Sequence, residues 1–305
     1  MRQTPEVRAA LIVNRDAGGG AAATRRDELV SALRDAGVEA TLVEVSPSDF
    51  TRAAREAAGS YDAVVAAGGD GTVSSVAAGL VGTGTPLGVL PEGTLNHFAR
   101  DLGVPFEIEQ AARIVAAGHV RDVDVGEVNG RTFVNNSSVG IYPLAVAERE
   151  RLQDEHGHSK WVAMARASLR VLRRLPVMTV QLRVDGEPSS VRTPLVFVGN
   201  NKYEVQGFPP GGRHALDDGV LCLYTARVES RAHALWLAVR ALFGRLEGAD
   251  GFDALTCAGE LEVSLSRPGT LRVALDGEVH RMRAPLRYAV RPRALRVLAP
   301  TPGDV

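Results

Sequence analysis

Between Arg8 and Pro91, short apolar runs alternate with stretches of helical period. Ala9-Ala10-Leu11-Ile12-Val13, Ala40 to Val45, Asp62 to Ala67 and Pro86 to Leu90 read as strands, with helices predicted near Ala21 to Ala36, Ser48 to Ala58 and Gly71 to Leu80. A strand that is apolar at consecutive positions is covered on both faces, as in a parallel sheet sandwiched by helices. The first part of the chain is therefore expected to be an α/β domain with a doubly wound parallel sheet. Ligands of such sheets bind beyond the carboxyl ends of the strands, which directs attention to the turns after Val13, Ala67 and Leu90.

Beyond Val120 the pattern changes to strands with little helix between them: Asp122 to Val128, Thr132 to Val139, Met178 to Val184, Pro194 to Gly199, Val220 to Thr225, Leu255 to Leu265, Leu271 to Leu275 and Pro285 to Val290. Closely spaced strands predict an antiparallel β-sandwich. Two helical stretches, Ser159 to Arg174 and Arg231 to Leu246, interrupt it. The expected division is 1–122 for the α/β domain, 123–292 for the sandwich, and 293–305 for a last strand and tail able to return to the first domain. A chain of 305 residues suits two such domains.

The 35 basic and 36 acidic residues nearly cancel, so no whole-molecule field draws the protein to nucleic acid. Attraction to phosphate or to an anionic surface must be local. The only cysteines, Cys222 and Cys257, lack metal-site spacing and read as reduced, buried thiols. No signal-peptide core stands near Met1 and no apolar run is long enough to span a bilayer, so a cytoplasmic location is expected.

The chemistry concentrates in three glycine-bearing turns. Ala67-Gly68-Gly69-Asp70-Gly71-Thr72-Val73 follows a strand and opens a helix. Its glycines allow close approach of backbone to a phosphate, the helix start supplies N–H donors, and Thr72 adds a hydroxyl. A carboxylate there would repel bare phosphate, so Asp70 makes sense with a metal or a proton to manage. Leu90-Pro91-Glu92-Gly93-Thr94-Leu95-Asn96-His97 follows the next strand, and Asn14-Arg15-Asp16-Ala17-Gly18-Gly19-Gly20 follows the first. Neither the Walker pattern nor the dinucleotide fingerprint is present. Asp276-Gly277-Glu278, near the end, reads by itself equally well as a polar β-turn, and Asp185-Gly186-Glu187 as a plain hairpin.

The Gly-Gly-Asp-Gly-Thr loop, the Gly93-Thr94-x-Asn96-x-x-Ala99-Arg100 loop and Asp276-Gly277-Glu278, in this order, resemble the diacylglycerol kinase catalytic family, which includes bacterial lipid kinases and sphingosine kinases. The resemblance runs over essentially the whole chain. It implies an ATP-binding α/β domain joined to a β-sandwich carrying the lipid site, with ATP and Mg²⁺ as cofactors. By that resemblance Asn14, Gly18, Gly19, Gly68, Gly69, Asp70, Gly71, Thr72, Gly93, Thr94 and Asn96 bind ATP. Asp70 and Asp124 join the carboxylate network around the catalytic Mg²⁺, and Asp276 and Glu278 supply the base. The stretch Arg213 to Leu221 resembles the family's structural Mg²⁺ segment, with Asp218 as side-chain ligand beside the carbonyls of Ala215 and Val220; an ordinary Asp-Gly turn is the other reading.

Two departures stand out. Arg15 and Ala17 replace the Pro and Ser common in the family's first loop, and His97 stands where many members have Asp. A soluble kinase acting on NAD or a sugar phosphate, and a nucleotide- or lipid-binding regulator with little catalysis, are the alternatives. The basic, Trp-bearing stretch Lys160 to Arg174 suits peripheral contact with an anionic membrane, and the apolar stretch Ala234 to Phe243 suits an acyl pocket. The expected partner is a membrane lipid, reached by transient contact with the inner membrane surface; no nucleic acid is expected, and a homodimer is compatible with the sequence.

Overall fold

Strand β1 (Val7–Asn14) is built from small and β-branched residues, and Ala9 to Val13 lie at most 4% exposed, covered on both sides. The structure, a computed structural model, describes residues 7–16, 22–140, 177–184, 186–203, 212–213, 215–226, 252–265 and 269–301. The chain divides into two units, residues 1–125 with 292–305, and residues 126–291.

In the first unit, β2 (Val38–Val45) and β3 (Ala63–Gly68) flank β1 in parallel, and β4 (Leu87–Pro91) pairs with β3. The end of β16 (Leu286–Leu298) adds to β4 through Val297 opposite Leu87. The chain runs from β1 to β2 on one side and then to β3 on the other. Strand order therefore reverses between β1 and β3, which is where doubly wound sheets open a ligand crevice.

Helices α1 (Ala22–Asp35), α2 (Phe50–Ala57), α3 (Asp70–Leu80), α4 (His97–Leu102) and α5 (Ile108–Ala117) complete the unit. In α2 the buried positions Phe50, Ala53, Ala54 and Ala57 recur at helical spacing and form one apolar stripe. The stripe lies close to α3, where a Cβ on Gly79 would run into the Thr51 carbonyl oxygen and stand 2.7 Å from Ala54 Cβ. Gly79→Val is expected to lose about 1–3 kcal/mol in urea unfolding through this overpacking. Gly259→Ala, where an added Cβ meets nothing, should stay within about 0.5 kcal/mol of the parent.

The chain enters the second unit along β5 (Val120–Val128), which forms a hairpin with β6 (Arg131–Phe133). One layer holds β7 (Asn136–Gly140), β10 (Leu195–Asn200), β11 (Leu221–Ala226), β12 (Phe252–Ala258), β14 (Thr270–Leu275) and β15 (Glu278–Arg283), in the order β12-β11-β10-β7-β14-β15. The other runs β16-β13-β8-β9, with β8 (Met178–Val184), β9 (Glu187–Thr193) and β13 (Glu260–Leu265). All these pairings are antiparallel. Val139, Val196, Val198, Leu223 and Val273 of the first layer share one core with Val180, Leu182, Leu261, Val263 and Leu286 of the second. The fold is an α/β domain with a parallel sheet followed by an antiparallel β-sandwich, the fold class expected from the two textures.

Several elements differ from the sequence expectation. Leu255 to Leu265 is two strands in different sheets, β12 and β13, separated at Gly259. Thr132 to Val139 divides into β6 and β7, whereas Pro285 to Val290 and Leu295 to Leu298 merge into β16. Strand β9 was absent from the expected elements because its first four residues are exposed and carry no apolar signal. Cys222 and Cys257 are a disulfide, not two reduced thiols. Pairing of β11 with β12 sets them directly opposite each other, Cα atoms 4.0 Å apart, across 35 residues of sequence. The two helical stretches expected at Ser159 to Arg174 and Arg231 to Leu246 lie outside the described residues, as do Gly18 and Gly19. Among the described residues no helix is long and apolar enough to cross a membrane.

Candidate active site

Val13 pairs with Ala67 and Ala67 with Leu90, so the strands carrying the three expected loops end in one row, at one edge of the parallel sheet. Asn14 ends β1, and its Oδ1 accepts the Asp16 N–H at 2.9 Å, turning the chain out of the strand. The next two loops touch. A Cβ on Gly93 would fall 2.5 Å from Gly69 Cα and 2.6 Å from Asn96 Oδ1, and the Glu92 N–H donates to the Gly68 carbonyl at 3.0 Å. Gly93 has room only for hydrogen there, and a Cβ on Gly69 would also be tight, 3.2 Å from Gly93 Cα. Gly68 is likewise covered by Thr72, whose Oγ1 would stand 2.6 Å from an added Cβ.

Asn96 shapes the second loop from within. It is 7% exposed, sits in the left-handed region at φ 48°, accepts the Gly93 N–H at 2.9 Å and donates to the Gly93 carbonyl at 2.8 Å. Both ends of its amide are thus engaged with Gly93. Asp70, at the first position of α3, reaches across to accept the Phe98 N–H at 3.2 Å with Oδ1, which satisfies a first-turn donor of α4. Its second oxygen has no partner among the described residues. Helix α3 has Gly69 at its N-cap, a residue with no side chain to cap the opening N–H groups.

Charge is arranged around this edge as well. Arg25 of α1 donates to Glu92 Oε1 at 2.5 Å and to Glu28 at 2.9 Å. The Glu92 hydrogen bond, then Glu28, holds the Arg25 guanidinium above its ordinary range. Arg26 Nη2 donates to the Arg15 carbonyl at 3.0 Å, and Nη1 pairs with Glu44 at 2.8 Å. At His97 the Arg100 guanidinium, which can only donate, lies 2.7 Å from Nδ1; that nitrogen is the acceptor. The Arg25–Glu92 and Arg26–Glu44 contacts join residues far apart in sequence and left no local signal.

In the second unit, Asp276-Gly277 is the two-residue turn between β14 and β15, with Leu275 opposite Glu278 and φ of 47° and 94° at its two residues. Positive φ at both central positions is the geometry that suits hairpin twist, and Asp-Gly supplies it cheaply. The Asp276 carboxylate, 8% exposed, accepts three backbone N–H groups: Val134 at 2.8 Å on Oδ2, Asn135 at 2.8 Å and Asn136 at 2.9 Å on Oδ1. Glu278 next to it is exposed, its Oε2 3.9 Å from His280 Nε2. Burial, and then Arg131, push the His280 imidazole below its ordinary range and favour its neutral form. The hairpin at Gly186, with Val184 opposite Glu187, joins β8 and β9.

The expected Mg²⁺ ligands are placed as follows. Asp124 is 1% exposed and accepts the Arg293 N–H at 2.9 Å, pinning β16 where Arg293 takes a φ of 50°. Asp218 is exposed, Ala215 and Val220 are half-buried, and the Val220 carbonyl accepts the Asn201 N–H at 2.9 Å. Among the described residues no three His, Cys, Asp or Glu side chains gather into a metal site. The donors at 215–220 are hard oxygens, the chemistry Mg²⁺ prefers.

A doubly wound sheet presenting glycine loops in backbone contact, followed in one chain by an antiparallel sandwich, is the two-domain architecture implied by the resemblance to the diacylglycerol kinase catalytic family. Two family models match: the diacylglycerol kinase catalytic domain over residues 8–128, and the YegS C-terminal NAD kinase beta sandwich-like domain over residues 138–299. A diacylglycerol kinase of Bacillus subtilis is 31% identical over 279 residues, 89% of this chain and 89% of its own. One from Mycobacterium tuberculosis is 30% identical over 306 residues, 96% of this chain and 95% of its own. The crystal structure of a diacylglycerol kinase from Bacillus anthracis superposes with a TM-score of 0.74 at 24% identity, covering 99% of this chain and all of that one, a likeness of fold. The chain belongs to the diacylglycerol kinase catalytic family.

Proposed function

We propose that this kinase transfers the γ-phosphate of ATP to a hydroxyl of diacylglycerol or a related lipid at a membrane surface. The observation that supports the phosphate-binding half of this reading is the backbone contact of Gly69 with Gly93 at the strand ends beside Asn14. The Gly68–Thr72 and Gly93–Asn96 loops would offer N–H groups there, with Thr72 and Thr94 adding hydroxyls, while Asn96 holds the Gly93 loop in shape. Asp70 would hold Mg²⁺ against the phosphates, and Asp218 with the Ala215 and Val220 carbonyls would hold a structural one. Bound Mg²⁺ neutralises phosphate charge, which is most of what phosphoryl transfer needs. Asp124, committed to the Arg293 N–H, acts beside this as a support for β16.

The lipid oxygen bonds to the γ-phosphorus as the bond from phosphorus to the bridging oxygen breaks, and ADP leaves. Its proton needs an oriented acceptor. Glu278 is that acceptor, being exposed and one residue beyond a turn that Asp276 locks to the Val134–Asn136 backbone. The lipid acceptor rests on family membership and on the relatives being diacylglycerol kinases. The NAD kinase-like description of the sandwich keeps a soluble acceptor in view.

The test is transfer of label from γ-labelled ATP with Mg²⁺ into mixed micelles of diacylglycerol, phosphatidylglycerol or a long-chain base, with NAD as a soluble acceptor. Glu278→Gln is run beside the parent. Label in one lipid, reduced about 10²-fold or more in Glu278→Gln, is expected. Label in NAD alone would replace the lipid reading, and ATP binding without transfer to any acceptor would favour a regulator.

A further inference from the structure

Arg213 is 6% exposed and donates hydrogen bonds to the Val134–Asn135 stretch and to Asn200 beside it. Nη1 donates to the Val134 carbonyl at 2.7 Å and to the Asn200 carbonyl at 3.0 Å; Nη2 donates to Asn135 Oδ1 at 2.8 Å. The guanidinium carbon lies 5.4 Å from the centre of the Tyr203 ring, a cation–π contact. A buried arginine is costly, and this one is compensated by a fork of donors that lysine cannot reproduce.

The stretch it holds is the one Asp276 holds. Val134, Asn135 and Asn136 give their N–H groups to the Asp276 carboxylate, while Val134 and Asn135 give acceptors to Arg213. Asn200 completes the arrangement, donating through Nδ2 to the Val134 carbonyl at 3.0 Å and taking the Asn135 carbonyl on its own N–H at 2.9 Å. Three residues of backbone thus lie between a buried cation and a buried anion. On one side the anion belongs to the turn that carries Glu278. On the other, Arg213 begins the segment of Ala215, Asp218 and Val220, whose far end is tied back by the Asn201 N–H on the Val220 carbonyl.

The geometry points to Arg213 as a positioning residue for phosphoryl transfer: through the Val134–Asn136 backbone it fixes the Asp276-Gly277-Glu278 turn and couples it to the 215–220 segment. This rests on the assignment of Glu278 as proton acceptor. Arg213 touches no reacting atom and works only through where it leaves Glu278. Its signature is a fall in kcat, with the KM for ATP unaltered, because the ATP loops belong to the other unit.

A double-mutant cycle tests this. Arg213→Lys keeps the charge but loses the fork, and Asn135→Ala removes a single acceptor and leaves the arginine in place should Arg213→Lys not fold. Folding of each variant is checked by its thermal unfolding midpoint. The expected result is a fall in kcat of about tenfold or more, an ATP KM within about twofold, and no further loss when the change is added to Glu278→Gln, since residues acting as a unit are non-additive. An unchanged kcat, or a loss that multiplies in the Glu278→Gln background, overturns the inference while leaving Glu278 in its role. Full activity of Glu278→Gln alone would remove both.

Discussion

Asp276→Ala is expected to lower unfolding stability by about 3–5 kcal/mol and to abolish transfer, because three backbone N–H groups lose their acceptor at once. Val134 and Asn135 are both 2% exposed, so water does not readily replace the carboxylate. The neighbouring Arg213 would also lose a nearby buried anion, and a buried charge stripped of compensation is among the more damaging changes. Asp276→Asn separates the two effects. It retains one acceptor oxygen and should cost about half as much or less, yet its NH₂ would face donors at one of the two carboxylate positions. Urea titration of both variants measures the difference. A loss below about 1 kcal/mol for Asp276→Ala would mean that these hydrogen bonds do not hold the β7 entry in place.

Gly93→Ala should leave the fold standing and remove ATP use. The added methyl would lie 2.5 Å from Gly69 Cα and 2.6 Å from Asn96 Oδ1, closer than carbon atoms approach without one loop moving. Backbone is on one side and an amide locked to Gly93 on the other, so the loops must part. A displacement of about 1 Å in groups that position a phosphate can cost about 10²-fold in rate. The expected result is a fall in kcat/KM for ATP of about that size with an unfolding midpoint near the parent's. Wild-type ATP kinetics would show that the contact of the two loops is not where phosphate binds.

The two textures of the chain were legible because the physics behind them is local. Consecutive buried residues in Ala9 to Val13 and Ala63 to Ala67 require cover on both faces, and α2 writes its buried face at i, i+3, i+4 and i+7. Glycines bunched after strand ends mark loops where backbone must come close to something. That they sit on a common edge followed from strand order in doubly wound sheets. What touches what across long separations was not legible. The disulfide of Cys222 with Cys257 depends on the register of β11 against β12, and β9 is an edge strand whose polar face removes the alternation by which strands are recognised.

The same division runs through the candidate-site residues. The sequence determined which residue types stand at strand ends and offered Asp-Gly at 276–277 as a turn, which the structure shows as a hairpin. Only the tertiary structure decided that Asp276 gathers N–H groups some 140 residues away, that Arg213 grips the same backbone from its acceptors, and that Asp70 caps a helix in the neighbouring loop. Propensity and periodicity are properties of a few consecutive residues, whereas a buried polar group must find its partner wherever the packed sheets bring one.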